Sequence, residues 1–258
     1  MSRERLLSEI VPLSPTGRSA WGLCRRQFLL GQLLGLRYAD DDSGGAQLGQ
    51  MTHDVLRMIH THGTCRDEDH VASVIEGYGD STERRLHSFV ERHVLRCPAE
   101  SDRALHEYQV ARFHRAPSPM FMGIAQIDAI WVHDGLLDAR DYKTGALWLE
   151  EVRADPGARL QAWILARYAE RHGLALRLRY EYLAAGVTDD PEPFEPDGDD
   201  LDSITEELRS VVEKMWAEDN EGDWNGVADP EICGRCAHRT ICRDSAAVES
   251  AGIGRGGR

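Results

Sequence analysis

The sequence predicts an α/β fold of order helix, three strands, helix, strand. Three observations carry that expectation. Between residues 47 and 62, Leu48, Met51, Val55, Leu56 and Ile59 recur at helical spacing on one face. From 105 to 143 the pattern changes to strands, and His133-Asp134-Gly135 is a hairpin signal between the last two of them. Residues 174–183 alternate, with Leu174, Leu176, Leu178, Tyr180 and Tyr182 on one face and Arg177, Arg179 and Glu181 on the other, which reads as a half-buried strand.

The remaining elements follow in order. Residues 21–37, WGLCRRQFLLGQLLGLR, mix apolar and basic side chains and read as helical. Gly63 ends the helix at 47–62. A second helix is expected at 81–95, where Asp80 and Glu83 have capping-box spacing. Strands are expected at 105–114, 121–132 and 136–143. Asp155-Pro156 opens a helix as N-cap and first-turn proline, and Gly173 closes it. The acidic stretch DDPEPFEPDGDD at 189–200 reads as a solvated loop. Leu201, Ile204, Leu208, Val211, Val212, Met215 and Trp216 then form the apolar stripe of a helix at 201–217. AGIGRGGR closes the sequence as a flexible tail.

With 258 residues, 41% hydrophobic and 29% charged, the chain can bury a sizeable core. No run approaches the apolar length of a membrane span. MSRERLLSEIVPLSP lacks the apolar stretch of a signal peptide, so a cytoplasmic protein is expected. The net charge of −14 argues against a phosphate-rich partner unless a local basic patch or bound divalent cations supply the attraction. Six cysteines are present, and in a cytosolic chain clustered cysteines more often bind metal or do redox chemistry than pair as disulfides.

Asp128 stands near the end of an otherwise apolar strand, GIAQIDAIWV, where a carboxylate needs a partner. Asp141 and Lys143 lie two apart on the next strand and so project to the same face. The hairpin can bring Asp128 beside them. An isolated Asp-x-Lys is ordinarily a solvated ion pair of little energetic worth. Two carboxylates at one point instead make a hard-oxygen site suited to Mg²⁺ or Mn²⁺. Such an ion binds a phosphate oxygen and lowers the pKa of bound water, and a nearby lysine can orient that water or stabilise charge on phosphorus.

Gly123-x4-Asp128 followed by Asp141-Tyr142-Lys143-Thr144-Gly145 resembles the RecB-type motif of the PD-(D/E)xK nuclease superfamily. The element order is similar to that superfamily's core. Gly49-x3-His53 resembles the Gly-x3-His helix of the RecB/Cas4 branch, and His53 lies away from the apolar stripe of its helix. An isolated histidine there would simply face water, but the resemblance implies a metal ligand beside Asp128 and Asp141, with the backbone carbonyl of Tyr142 as a further ligand. The branch's Gln-x3-Tyr motif is matched in part: Gln161 is present, Leu165 stands where tyrosine is expected, and Tyr168 lies seven residues on. The resemblance makes Gln161 a positioning residue and Tyr168 a weaker candidate for DNA contact. Glu107, on the preceding strand, is either a further site residue or a surface glutamate.

Cys233-x2-Cys236-x5-Cys242, with Cys24 far upstream, could hold a [4Fe–4S] cluster or tetrahedral zinc, with His238 as another zinc ligand. Spacing does not separate the two metals. CRRQFLL at 24–30 and CGRCAHRTIC at 233–242 resemble the two ends of the cluster-binding Cas4 and AddB-like chains, which implies [4Fe–4S] ligation by Cys24, Cys233, Cys236 and Cys242. Cys65 and Cys97 match nothing and read as ordinary thiols.

The resemblance therefore implies one nuclease domain over 1–258, with a core at about 47–184, a cluster-binding periphery at about 20–37 and 201–245, and a tail at 246–258. It implies a metal-dependent exonuclease that acts on single-stranded DNA ends in repair, recombination or CRISPR adaptation, with a helicase or adaptation proteins as partners. Arg25, Arg26 and Arg37 are candidate phosphate contacts or ordinary surface charge. The rival readings are a non-catalytic DNA-binding or assembly subunit that keeps the nuclease fold, and a zinc-stabilised scaffold.

Overall fold

The structure is a computed structural model that describes residues 6–7, 9–36, 44–98, 105–115, 120–145, 149–184, 189–222, 224–242 and 244. Its sheet has five strands: β1 (Ile10–Leu13), β2 (Leu105–His114), β3 (Met120–His133), β4 (Leu136–Lys143) and β5 (Ala175–Tyr182). The long strand β3 organises it. One edge of β3 pairs antiparallel with β2, from Leu105↔Ile130 to His114↔Phe121. The opposite edge is shared. β1 runs parallel to its beginning, from Ile10↔Met120 to Leu13↔Gly123, and β4 runs antiparallel to its end, from Ala129↔Arg140 to His133↔Leu136. Between these two pairings, residues 124–128 of β3 have no strand partner on that side among the described residues, so the sheet is forked there. β5 then adds to β4 in parallel.

The predicted hairpin forms with Asp134 and Gly135 at φ of 48° and 75°, the two left-handed residues that a two-residue turn requires. Sequence reasoning missed β1. It is four residues long and contains Pro12, which a strand tolerates at an edge and which hides it from pattern.

Helices cover both faces. α3 (Gly44–His62), α4 (Glu68–Ile75) and α5 (Asp80–Val94) pack on one face, burying Val55, Leu56, Ile59 and Leu86 against Trp131 and Tyr142. On the other face α1 (Pro15–Leu23), α6 (Pro156–His172) and α7 (Gly198–Glu221) bury Trp21, Leu160, Trp163 and Val212 against Phe121, Ile127 and Leu137. Each fully buried side chain of this size is worth about 1.5–3 kcal/mol. This is the mixed α/β architecture the sequence predicts. No helix among the described residues is long and apolar enough to cross a membrane.

Four local details differ from expectation. The helix read at 21–37 is broken at Cys24, whose extended backbone (φ −161°, ψ 119°) separates α1 from α2 (Arg25–Phe28) and a following wide turn at Leu29–Leu33. α5 starts at Asp80, with Gly79 as its cap. Glu83 reaches back to the N–H groups of Gly77 and Gly79, so only the glutamate half of the expected box forms. The stretch 189–200 is not simply solvated. Phe194 is buried and pairs with Leu178, and Asp190 accepts from Tyr182 N–H and pairs with Arg96. Glu181, expected on a wet face, is 1% exposed because α5 lies over it. The caps of α6 are as read: Asp155 accepts from Gly157 N–H, and Gly173 closes the helix in the left-handed conformation. The tail at 246–258 lies outside the described residues.

Candidate active site

The fork positions the site. Past Ala129↔Arg140 the β3–β4 ladder stops, and the Asp128 side chain takes over the next backbone donor: Tyr142 N–H donates to Asp128 Oδ2 at 2.7 Å. This explains how a carboxylate is held in an apolar strand. From the other layer, α3 presents His53 over the fork. Its Nε2 donates to the Tyr142 carbonyl at 3.1 Å, and its Nδ1 lies 3.4 Å from Asp128 Oδ1. Gly49, one turn earlier, comes close to Thr144, where an added Cβ would lie 3.2 Å from the hydroxyl.

On β4, Asp141 and Lys143 project to the same side, with Lys143 Nζ 2.7 Å from Asp141 Oδ1. The lysine ammonium also sits 4.3 Å from the Tyr180 ring centroid. The Tyr180 hydroxyl in turn donates to Asp155 at the start of α6. A cleft of about 390 Å³ joins Asp128 and Asp141 to Gln161, which is only 6% exposed, and to Gln109 and Gln126. The structure thus brings His53, Asp128, Asp141, Lys143, Gln161 and the Tyr142 carbonyl to one place.

Glu107 belongs there too. Its Oε1 is 3.8 Å from His53 Nδ1, its other oxygen accepts from Gln126, and its donor atom lies within 4.8 Å of those of His53 and Asp128. Its backbone is left-handed, φ 51°. A non-glycine residue held there costs roughly 1–3 kcal/mol, and such strain concentrates at functional sites. In regular β geometry Glu107 would be one more alternating residue, which is why pattern alone left it between two readings.

Electrostatics mark the site as short of positive charge. Burial, and then the Asp128 charge, push the Asp141 carboxyl up to about 6 despite Lys143. Burial alone would lower His53, but its hydrogen bond to Asp128 and that carboxylate's charge prevail and hold it up at about 9. Burial would likewise lower Lys143, and the Asp141 carboxylate outweighs it.

The other expected residues fall elsewhere. Cys24, Cys233, Cys236 and Cys242 line one small cavity together with His238, separate from the cleft. His238 is buried and, among the described residues, its Nδ1 has no hydrogen-bond partner. Arg25 pairs with Glu218 at 3.0 Å and stacks on Trp21, and Arg26 donates to the Trp224 carbonyl, so both bind the chain's own α7 region. Arg37 lies outside the described residues. Tyr168 is 38% exposed and lines a groove of about 760 Å³ with Tyr108, Phe113, Arg112, Arg167 and Arg171. Gln109 lines both this groove and the cleft, so the two adjoin the same strand, β2. Sequence reading missed the groove. The signal was present in Arg167 and Arg171, four apart on α6, but their neighbours on β2 are joined to them only by folding.

A histidine, clustered carboxylates and a lysine at the fork of a mixed sheet define an α/β protein with a candidate divalent-metal site. The chain belongs to the PD-(D/E)XK nuclease superfamily, whose sequence model matches residues 12–243. It is also similar to a solved structure titled "Crystal structure of SSO0001", at 13% identity and a TM-score of 0.45 over 90% of this chain and 85% of that one. No curated protein matches significantly.

Proposed function

We propose that this chain is a metal-dependent deoxyribonuclease, an exonuclease acting on single-stranded DNA ends. The observation that carries the reading is the convergence of His53, Asp128, Asp141 and Lys143 at the fork. The donor set fits a hard divalent cation: carboxylates, one imidazole and a backbone carbonyl, around acids whose mutual repulsion and burial a cation would relieve. His53, Asp128, Asp141 and the Tyr142 carbonyl would hold Mg²⁺ or Mn²⁺, with Glu107 within reach. When bound, the ion would supply Lewis-acid stabilisation and a more acidic water. Asp128 fixes the spacing of β3 and β4 through Tyr142 N–H. Lys143, steadied by Asp141 and the Tyr180 ring, is placed to orient the attacking water and neutralise charge developing on phosphorus. Gln161 positions groups in the cleft from α6.

The groove supports a single-stranded substrate. Exposed Tyr108, Phe113 and Tyr168 offer faces on which unpaired bases stack, and Arg167 and Arg171 follow the backbone. This is the local basic path that a chain of net charge −14 needs. Tyr168 belongs to that path; Arg167 pairs with Glu170 on its own helix and would exchange that partner for phosphate, whereas Arg25 and Arg26 are tied to the α7 region away from the groove.

The cysteine cavity supports a stapled periphery around a single nuclease domain with its core at about 47–184. Cys24, Cys233, Cys236 and Cys242 lining one cavity supports joint ligation of one group, which we take to be a [4Fe–4S] cluster on the resemblance of the two cysteine segments, and which would have to open a cavity of only about 10 Å³. Such a chain fits work beside a helicase or CRISPR adaptation proteins, in the cytoplasm.

The test is cleavage of end-labelled single-stranded DNA with Mn²⁺. Progressive shortening from an end that Lys143→Ala abolishes is the expected result. DNA binding without cutting, indifferent to Lys143→Ala, would overturn catalysis in favour of a non-catalytic binding subunit.

A further inference from the structure

Two thiols that the sequence leaves unexplained meet two histidines in the helical layer. His60 lies in the last turn of α3, and Cys65 follows just past its end. His93 lies in the last turn of α5, and Cys97, whose N–H bonds to the His93 carbonyl, follows just past that end. The pattern is His-x4-Cys and His-x3-Cys, 33 residues apart by their histidines. Folding brings the four donor atoms within 4.8 Å of one another. His60 Nε2 and His93 Nε2 face each other at 2.9 Å, and Cys97 Sγ is 3.8 Å from His60 Nε2. Three of the four residues are buried, His93 completely.

We propose that His60, Cys65, His93 and Cys97 bind one structural zinc ion. The ligand set and its spread match the chemistry. Two imidazoles and two thiolates are a tetrahedral zinc set, with Zn–N near 2.0–2.1 Å and Zn–S near 2.3 Å. Those bonds place nitrogens about 3.3 Å apart and nitrogen and sulfur about 3.6 Å apart, within a few tenths of an ångström of the two distances above. Binding releases one proton from each thiol to solvent. The ion with two thiolates and two neutral imidazoles is then uncharged, so the site can lie in a core. Both helices end at the site, and their C-terminal carbonyl ends favour a cation.

The surroundings are those of a metal-bound histidine. His93 turns Nε2 to the cluster and Nδ1 to Glu181 Oε1 at 2.6 Å. Glu181 is 1% exposed and held by Arg140 at 3.0 Å. A carboxylate on the far nitrogen fixes the tautomer and ring orientation of a zinc-bound imidazole. Cys65 also lines a cavity of about 500 Å³ beside α4 and α5, which gives the ion a way in. The zinc would tie the ends of α3 and α5 to β5. His53 stands two turns before His60 on α3, so the staple also fixes the helix that carries it. The inference does not depend on catalysis or on the Cys24 group.

The experiment is zinc analysis and zinc-edge X-ray absorption on the purified full chain. One tightly held zinc per chain is expected, with a shell of two sulfurs and two nitrogens. Cys65→Ser/Cys97→Ser should lose it, and Cys233→Ser/Cys236→Ser should keep it. A shell of three or four sulfurs, or zinc lost only from the Cys233/Cys236 variant, would move the ion to the other cysteines and overturn the proposal. Failure to retain zinc after incubation with excess zinc salt, or a Cys65–Cys97 disulfide in freshly purified protein, would overturn it equally. If the Cys65/Cys97 variant does not fold, the wild-type absorption shell decides. Failure of the nuclease reading would appear in the Lys143 assay and leave these readouts unchanged.

Discussion

Replacing Arg140 by methionine should cost more stability than any single surface change. The guanidinium is 5% exposed and compensates two carboxylates at once. Its Nε and Nη2 meet Asp138 Oδ2 at 3.2 and 2.9 Å, and its Nη1 meets Glu181 Oε2 at 3.0 Å and the Arg96 carbonyl at 2.8 Å. Methionine keeps most of the packing against Trp131 but none of the charge. Removing one partner of a buried pair costs about 3–5 kcal/mol, because the remaining charge is uncompensated. Here two acids are left, each with one partner: Arg179 for Asp138 at 3.1 Å and His93 for Glu181 at 2.6 Å. The cost should therefore stay within that range rather than double it. With a urea slope of about 3 kcal/mol per molar, the denaturation midpoint should fall by roughly 1–1.7 M. The triple variant Asp138→Asn/Arg140→Met/Glu181→Gln removes the stranded charges and should recover at least half of the loss. A single-variant cost below about 1 kcal/mol, or a triple variant weaker than the single, would refute the claim that uncompensated charge sets the penalty.

Three further outcomes are expected. Mn²⁺ binding to metal-free protein should tighten as pH rises from 6 to 9, because His53, held up at about 9, must shed its proton before its imidazole can ligate. Below about 6 the loss should steepen as Asp141 also takes a proton, and calorimetry in buffers of different ionisation heat should show close to one proton released at neutral pH; no proton release would remove His53 from the ligand set. Gly123→Ala should cost about 1–3 kcal/mol in thermal or urea unfolding, since the new Cβ would lie 2.9 Å from Ile164 and 3.1 Å from Trp163 and push α6 off β3; an unchanged midpoint would contradict the tight contact. Arg167→Ala/Arg171→Ala should weaken single-stranded DNA binding and reduce the salt slope by about 1.4 with kcat little changed, as expected for two lost phosphate contacts; an unaltered slope would take DNA out of the groove.

Much of this molecule is legible in its sequence, and the exceptions share a cause. Helices α3, α6 and α7 and the β3–β4 hairpin carry their own periodicity and punctuation, so Asp128, Asp141 and Lys143 could be placed on strands and His53 off its helix's apolar face. What was illegible depends on partners remote in sequence. β1 is a strand only because β3 has a free edge. Glu181 looks solvated until α5 covers it. Cys65 and Cys97 are isolated thiols in the sequence and neighbours only when α3 and α5 end at the same place. Glu107 takes its unusual backbone where the β2–β3 register skips it, between His106↔Ala129 and Tyr108↔Ile127, and nothing in the local sequence announces that skip.

The way residues 6–25 interlock with α7 also bears on the order in which the molecule assembles. The N–H groups of Leu6 and Leu7 bond to Asp219, Arg18 pairs with Glu207, and Arg25 pairs with Glu218. Leu7 is 212 residues from its partner. At about 5–20 residues per second, a ribosome needs roughly 10–40 s to deliver the second half of that contact. By then β1 has β3 to pair with and α1 has α6 to pack on, so the α7 carboxylates close over elements whose own partners come from the middle of the chain. The residues that line the cleft all lie between Ser14 and Gln161, so the cleft takes shape before α7 arrives, and Glu207, Glu218 and Asp219 act afterwards as a clasp on the N-terminal elements.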